Sequence, residues 1–228
     1  MVVDIDQSEQ ESQFVKYHDK LRSELNNISE HFEISNNLAT LGHDYVPELN
    51  IAPTFFMFTL DAHRFATLMG INRLLDTDPH HLSIYKFLRF LKGNLSLFSD
   101  DCFQARLQQM GRLDELALGS RSLISAQSIE DDIQKLRNLP VPNVRRWRNE
   151  VLAHIQAASV LQEIKISSRY PVKMAQIEHV ISTMHEMLNF YYLNFQATTW
   201  VRSRLTQGQA KYVMDAIRYY LKNSKLHA

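Results

Sequence analysis

At 228 residues, 45% of them hydrophobic and 22% charged, the chain can bury a sizeable core, in one large domain or one domain with a terminal extension. Its single cysteine, Cys102, excludes an intrachain disulfide and any zinc site built from several thiolates, and fits a reducing, cytoplasmic setting. The formal charge of zero hides an asymmetry: residues 1–50 hold ten Asp/Glu against three Lys/Arg, whereas from Lys135 onward fourteen basic residues face five acidic ones. A basic C-terminal part suits an anionic partner such as nucleic acid, and it equally suits a solvated positive surface.

The N-terminal "MVVDIDQSEQES" is acidic and has neither the basic nor the apolar region of a secretory leader. Residues from about Ser8 to Leu41 read as one or two polar helices, broken near Gly42. "TFFMFTLDAHRFATLMGINRLL" follows, with Phe55, Phe58, Ala62, Phe65 and Met69 in one stripe and Phe56, Leu60 and Leu68 widening it. Such a helix is expected at the centre of a bundle. Its most apolar part, "IAPTFFMFTL", is about half a bilayer span, so a soluble chain with no membrane partner is expected. "DTDPHH" is a turn signal. "LSIYKFLRFLKGN" predicts a helix capped by Ser83 and ending near Gly93, and another is expected over about Ser99 to Met110. "GRLDELALGSRSLIS" has no clear period.

"SIEDDIQKLRNLP" opens with a Ser-x-x-Asp capping pattern at Ser128 and closes before Pro140. "PVPN" breaks the chain and leaves Asn143 to cap "NVRRWRNEVLAHIQ". A helix from about Val172 to Phe195 should bury Ile177, Val180, Ile181, Met184 and Leu188, and "QGQAKYVMDAIRYYLKN" predicts the last helix. Strand-type alternation is scarce, so the expected fold is an all-α bundle.

The helix opening at Asn143 carries the chemistry. Val144, Trp147, Val151, Ile155 and Ala158 share an apolar stripe. Arg148 lies about 40° to one side of that stripe and His154 about 60–80° to the other, roughly 9 Å apart along the axis. The pair therefore straddles the buried face, and local unwinding or a second copy across an interface is needed to bring the two groups together.

Imidazole can take or give a proton near neutral pH, and guanidinium matches two phosphate oxygens while staying charged. Together they suit RNA cleavage by the 2′-hydroxyl, which requires a base, an acid and positive charge on the phosphorane, with no metal or other cofactor. Asn149 can bond a phosphate or fix the arginine, and Glu150, one turn before His154, can orient its ring. Arg145 and Arg146 are candidates for binding the RNA backbone. The plainer reading of the spacing is that Arg148 pairs with a carboxylate and His154 is a satisfied boundary residue.

"RNEVLAH" resembles the Arg-x(4–6)-His motif of the HEPN superfamily, in which a polar residue usually follows the arginine. "INRLLDTD", "LSIYKFLRFL", "RNEVLAHI" and "RYPVKMAQIEHVISTMHEMLNF", in that order over roughly residues 50–195, resemble its AbiU-like abortive-infection branch. The resemblance implies a HEPN-like helical domain over 46–228, with residues 1–45 as an acidic N-terminal helical segment packed on it. It also implies a homodimer with the motif at the interface, and a metal-independent endoribonuclease serving as a toxin or phage-defence effector, with an antitoxin protein as possible partner. Arg148 would hold the scissile phosphate, His154 would transfer protons and Asn149 would assist. Some family members lack nuclease activity, so a non-catalytic dimerisation or adaptor module of the same fold stands as the alternative.

Arg73 and Asp76 in "INRLLD" are spaced for an i,i+3 ion pair, or for supporting the Arg148–His154 site from a neighbouring helix. "HEMLN", His185–Asn189, falls one histidine short of a zinc-protease motif. His179 and His185 lack a third ligand at useful spacing, and His80 and His81 are expected on a surface loop. In "RYYLKN", Tyr219 and Tyr220 could stack on bases, but Tyr220 is expected to pack with Val213 and Ile217. No phosphate-binding Gly loop, serine elbow or cysteine nucleophile is found.

Overall fold

The structure, a computed structural model, describes residues 5–113, 122–140, 172–202, 206 and 208–224. Among them every regular element is helical: α1 (Ile5–Leu41), α2 (Val46–Leu49), α3 (Pro53–Leu74), α4 (Ile84–Gly93), a 3-10 turn (Leu95–Phe98), α5 (Asp100–Gln109), α6 (Ala126–Arg137), α7 (Met174–Gln196) and α8 (Gln209–Ser224). The bundle is all-α, as expected.

The polar N-terminal region is one continuous helix of 37 residues. Phe14, His18, Leu21, Leu25, Ile28, Phe32 and Ser35 are all buried and recur every four and three residues, which lays a straight seam along α1. That seam is the spine of the bundle, since α1 touches α3, α4, α7, α8 and the 3-10 turn. Its closest neighbour is α3. A Cβ placed on Gly70 would lie 2.3 Å from Cγ1 of Ile28, so the absent side chain sets how near the two backbones come.

The caps follow the sequence with one shift. Ser83 accepts from the Lys86 amide at 3.3 Å and Ser99 from the Cys102 amide at 3.3 Å, starting α4 and α5. Gly111, with φ 69°, ends α5 in a Schellman arrangement: the Arg112 amide donates to Leu107 O and the Gly111 amide to Gln108 O. The cap of α6 lies three residues before the expected one. Ser125 is the N-cap and Ser128 sits at the third helical position, the two serines bonding each other's backbone amides in a capping box. Both serines can cap, and the reciprocal pair satisfies one more amide than Ser128 alone.

Ile177, Val180, Ile181, Met184 and Leu188 of α7 are buried as expected. Around α7 the core is aromatic. Phe14 stacks on Phe195 with centroids 3.9 Å apart, and Phe87 meets Tyr191 edge-on at 6.2 Å. Buried Arg106 ties the same region together: its guanidinium lies 4.0 Å from the Phe195 ring centroid and donates to Phe195 O, Leu97 O and Glu11. Arg112 donates to the carbonyls of Gln196 and Ala197 at the end of α7, where Ala197 adopts the left-handed conformation (φ 51°).

Two packing expectations are overturned. α3 is not a central helix: Phe55, Met57, Phe58 and Phe65 are exposed, and its buried residues, Thr67, Leu68, Gly70, Ile71, Asn72 and Leu74, gather at its C-terminal end. A helix that is apolar all round has two apolar faces, and α1 covers only one. In α8, Tyr220 and Val213 are exposed and Met214 is the buried residue. The polar anchors of α8 to α2 rotate the helix so that Met214 faces inward. Among the described residues, no helix is long and apolar enough to cross a membrane.

Candidate functional site

Arg148, Asn149, His154, Arg145, Arg146 and Glu150 lie outside the described residues. The described helices on either side of them in the chain are α6, which ends at Arg137 with Asn138 as its C-cap, and α7, which begins at Met174. Tyr191 of α7 donates to Asp132 of α6 at 2.7 Å. Burial, then that bond, pushes the Tyr191 phenol well above its ordinary range, so it is a permanent donor holding the two helices together. Two adjoining hollows of about 450 and 460 Å³ run along this junction. Asp131 and Lys135 line both; Gln134, Asn138 and His179 border one, and Glu186 and Phe190 the other. The lining carries both signs of charge, unlike the one-sided basic wall that tracks a nucleic-acid backbone.

The two supporting candidates are described. Arg73, exposed near the C-terminal end of α3, donates to Glu24 of α1 at 3.0 Å. Asp76 accepts from the Asp78 amide at 3.1 Å and bonds His81 Nδ1 at 3.0 Å, which fastens the "DTDPHH" turn. The i,i+3 spacing put the two groups on one face, yet each has a different partner: Arg73 reaches sideways to α1, and Asp76 lies past the end of the helix where the chain has turned. His80 and His81 are exposed, as expected.

His185 and Asn189 make structural contacts. Asn189 donates to Trp200 O and accepts from the Trp200 amide, both at 2.9 Å, and the His185 ring meets Trp200 edge-on at 4.1 Å. Burial, then nearby Arg202, lowers the His185 pKa. "HEMLN" thus anchors the segment after α7, and among the described residues no three His, Cys, Asp or Glu side chains are grouped to hold a metal.

Arg202 pairs with Glu178 of α7 and lies 3.6 Å from Glu33 of α1. Arg218 donates to buried Glu48, and its guanidinium stacks 3.9 Å from the Tyr45 ring centroid, while the Tyr45 hydroxyl donates to Asp215 at 2.6 Å. These two arginines counted toward the basic C-terminal excess, but the fold uses them internally. A third arrangement has no signal in the sequence. His31 of α1 and His63 of α3, 32 residues apart, place their Nδ1 atoms 2.8 Å apart, so one donates and the other accepts. Burial, then His31, lowers the His63 pKa.

An all-helical bundle, in a chain whose sequence carries an Arg-polar-x(4)-His segment, is consistent with a HEPN-type domain. The AbiU2 family model matches residues 11–216, and the chain belongs to this family of abortive-infection-associated HEPN domains. No curated protein and no solved structure matches the chain significantly.

Proposed function

We propose that the protein is a metal-independent endoribonuclease acting as a toxin or phage-defence effector, held in check by an antitoxin partner. The observation that carries this reading is the Arg148–Asn149–His154 set within a chain that matches a HEPN family over residues 11–216. The 2′-hydroxyl of one nucleotide attacks the adjacent phosphorus while its proton passes to a base. The 5′-oxygen of the next nucleotide leaves with a proton from an acid, giving a cyclic phosphate and a free 5′-hydroxyl. One chain supplies one His154, and the step needs both a base and an acid. A homodimer supplies two imidazoles, one for each role. Arg148 neutralises the phosphorane, Asn149 holds a phosphate oxygen or the guanidinium, and Glu150 orients the ring. Arg145 and Arg146 bind flanking phosphates, and Arg73 and Asp76 support the site from the end of α3.

The test is cleavage of a mixed-sequence RNA in EDTA. Wild type should cut, leaving cyclic-phosphate ends. His154→Ala and Arg148→Ala should each lose at least 100-fold in rate, in line with removing a proton-transfer group or a charge clamp. Variants that cut like wild type remove these residues from the mechanism. The mixed charge of the α6–α7 junction favours the second reading, a non-catalytic dimerisation or adaptor module. A wild-type protein that leaves every RNA intact while binding a protein partner establishes that reading instead.

A further inference from the structure

We propose that His31 and His63 form a binding site for a zinc-class divalent cation, which joins α1 to α3 through two imidazole nitrogens. The Nδ1 atoms of the two rings lie 2.8 Å apart. Imidazole is the commonest metal-binding side chain, and here two of them converge from different helices. In a tetrahedral zinc shell, with Zn–N near 2.0–2.1 Å, two nitrogens stand about 3.4 Å apart, so the pair opens by about 0.6 Å to admit the ion. Small rotations of the two side chains supply that change. The ring that donates in the present bond shifts its proton from Nδ1 to Nε2. Both Nδ1 lone pairs then face the cation, and no net proton is released.

The two helices preset the pair. Gly70 of α3 lies against Ile28 of α1, and this contact fixes how the backbones cross. His31 follows Ile28 by about one turn, and His63 precedes Gly70 by about two turns on the same face. Ligands carried on packed helices keep their relative positions better than ligands on loops. Both rings are half-buried, so water reaches the open side of the pair. Among the described residues no third His, Cys, Asp or Glu joins them in a group. The chain therefore supplies two ligands, and water fills the other positions.

The donor set selects the ion. Glu30 and Glu33 stand near His31 in sequence, but Glu30 accepts from Thr206 and Glu33 lies 3.6 Å from Arg202. Asp61, two residues before His63, is on the other side of α3 and exposed. Two neutral nitrogens without a carboxylate suit zinc, which is bound well by imidazole. They do not suit magnesium or calcium, which take oxygen ligands. Burial, then His31, lowers the His63 pKa, which keeps that ring in the neutral form a metal requires.

The test uses the full chain, freed of metal with EDTA and dialysed. Titrating Zn2+ into the wild type should move the imidazole 15N signals of Nδ1 in both His31 and His63 and give the Kd; Mg2+ should move neither. At about ten times that Kd, Zn2+ should lower the unfolding constant about tenfold more in wild type than in His31→Ala or His63→Ala, read from urea midpoints. The comparison cancels zinc taken up by the histidines of the unfolded chain. His81→Ala, at an exposed turn, and His154→Ala should both respond as wild type does. Nδ1 signals that stay in place at saturating zinc overturn the site, and that measurement needs no variant to fold. A response that survives both alanine substitutions overturns the joining of α1 to α3, as does an equal midpoint shift in wild type and variants. RNA cleavage in EDTA is unaffected by any of these outcomes, so failure of the site and failure of the nuclease reading are told apart.

Discussion

His18 shows how one side chain can make stability depend on pH. It is fully buried on the α1 seam, with its ring parallel to Tyr192 at 4.2 Å and to Phe14 at 6.0 Å. Neither ring nitrogen has a hydrogen-bond partner within 3.5 Å, and Nδ1 lies 3.7 Å from Asp19 Oδ1. Burial lowers its pKa from 6.5 to about 4, against the opposing pull of Asp19. With both its folded and unfolded pKa values below 7, the imidazole is mostly neutral in both states at pH 7. As pH falls below 6.5 the unfolded chain takes up a proton that the folded chain refuses, so stability drops until pH reaches about 4. The full loss is about 3 kcal/mol. His63 and His185, whose pKa values are also lowered, act in the same direction. His18→Phe keeps the ring between its neighbours and removes the proton. Urea midpoints should then fall less steeply between pH 6.5 and 4, by about one proton's worth of slope, with little change at pH 7. An unchanged slope would mean that the folded protein protonates this imidazole without cost.

Among the elements, the α1–α3 contact is the one most sharply set by a missing side chain. Gly70 sits in the buried end of α3 against Ile28, which is itself buried. Alanine there would gain about 1 kcal/mol in helix propensity. Its Cβ, however, would fall 2.3 Å from Ile28 Cγ1 and 2.9 Å from Cδ1 of a buried side chain. Overpacking of this kind costs about 1–3 kcal/mol, so Gly70→Ala should destabilise on balance. In an Ile28→Ala background the clash is gone and the same change should become neutral or favourable. A double-mutant cycle by urea denaturation reads the difference, and strict additivity would show that the two residues do not touch.

The helices themselves were legible. Ser83 caps where the sequence places a cap, Ser99 caps a helix expected to begin near it, and the α7 stripe is buried as its period requires. Which face of an element meets the core was less so. α3 has apolar residues on both sides, and periodicity alone does not say which side α1 takes. The partners of Arg73 and Asp76, and the His31–His63 pair, depend on helix crossings that no local spacing encodes. The proposed catalytic set was read from a motif and lies outside the described residues.

For the molecule as a whole, burial is uneven, and stability should be uneven with it. α4 and α7 bury long stripes of apolar side chains, whereas α8 buries only Met214 among its described residues. α8 is held mainly by a polar clamp: Arg218 on Glu48 and over the Tyr45 ring, the Tyr45 hydroxyl on Asp215, and Lys211 on the other oxygen of Asp215. These bonds lower the carboxyl pKa values of both Glu48 and Asp215, so the clamp weakens as acid protonates them. An element with few apolar contacts opens locally long before the core does. Amide exchange should therefore be faster along Gln209–Ser224 than in α1, α4 or α7, and faster still at pH 4 than the intrinsic pH dependence of exchange predicts. Arg218→Ala leaves the Glu48 carboxylate in its buried position without its guanidinium. The expected result is at least a tenfold rise in α8 exchange, with much smaller changes in α4 and α7. If α4 and α7 speed up equally, α8 does not open as a separate unit, and the clamp supports the whole bundle cooperatively.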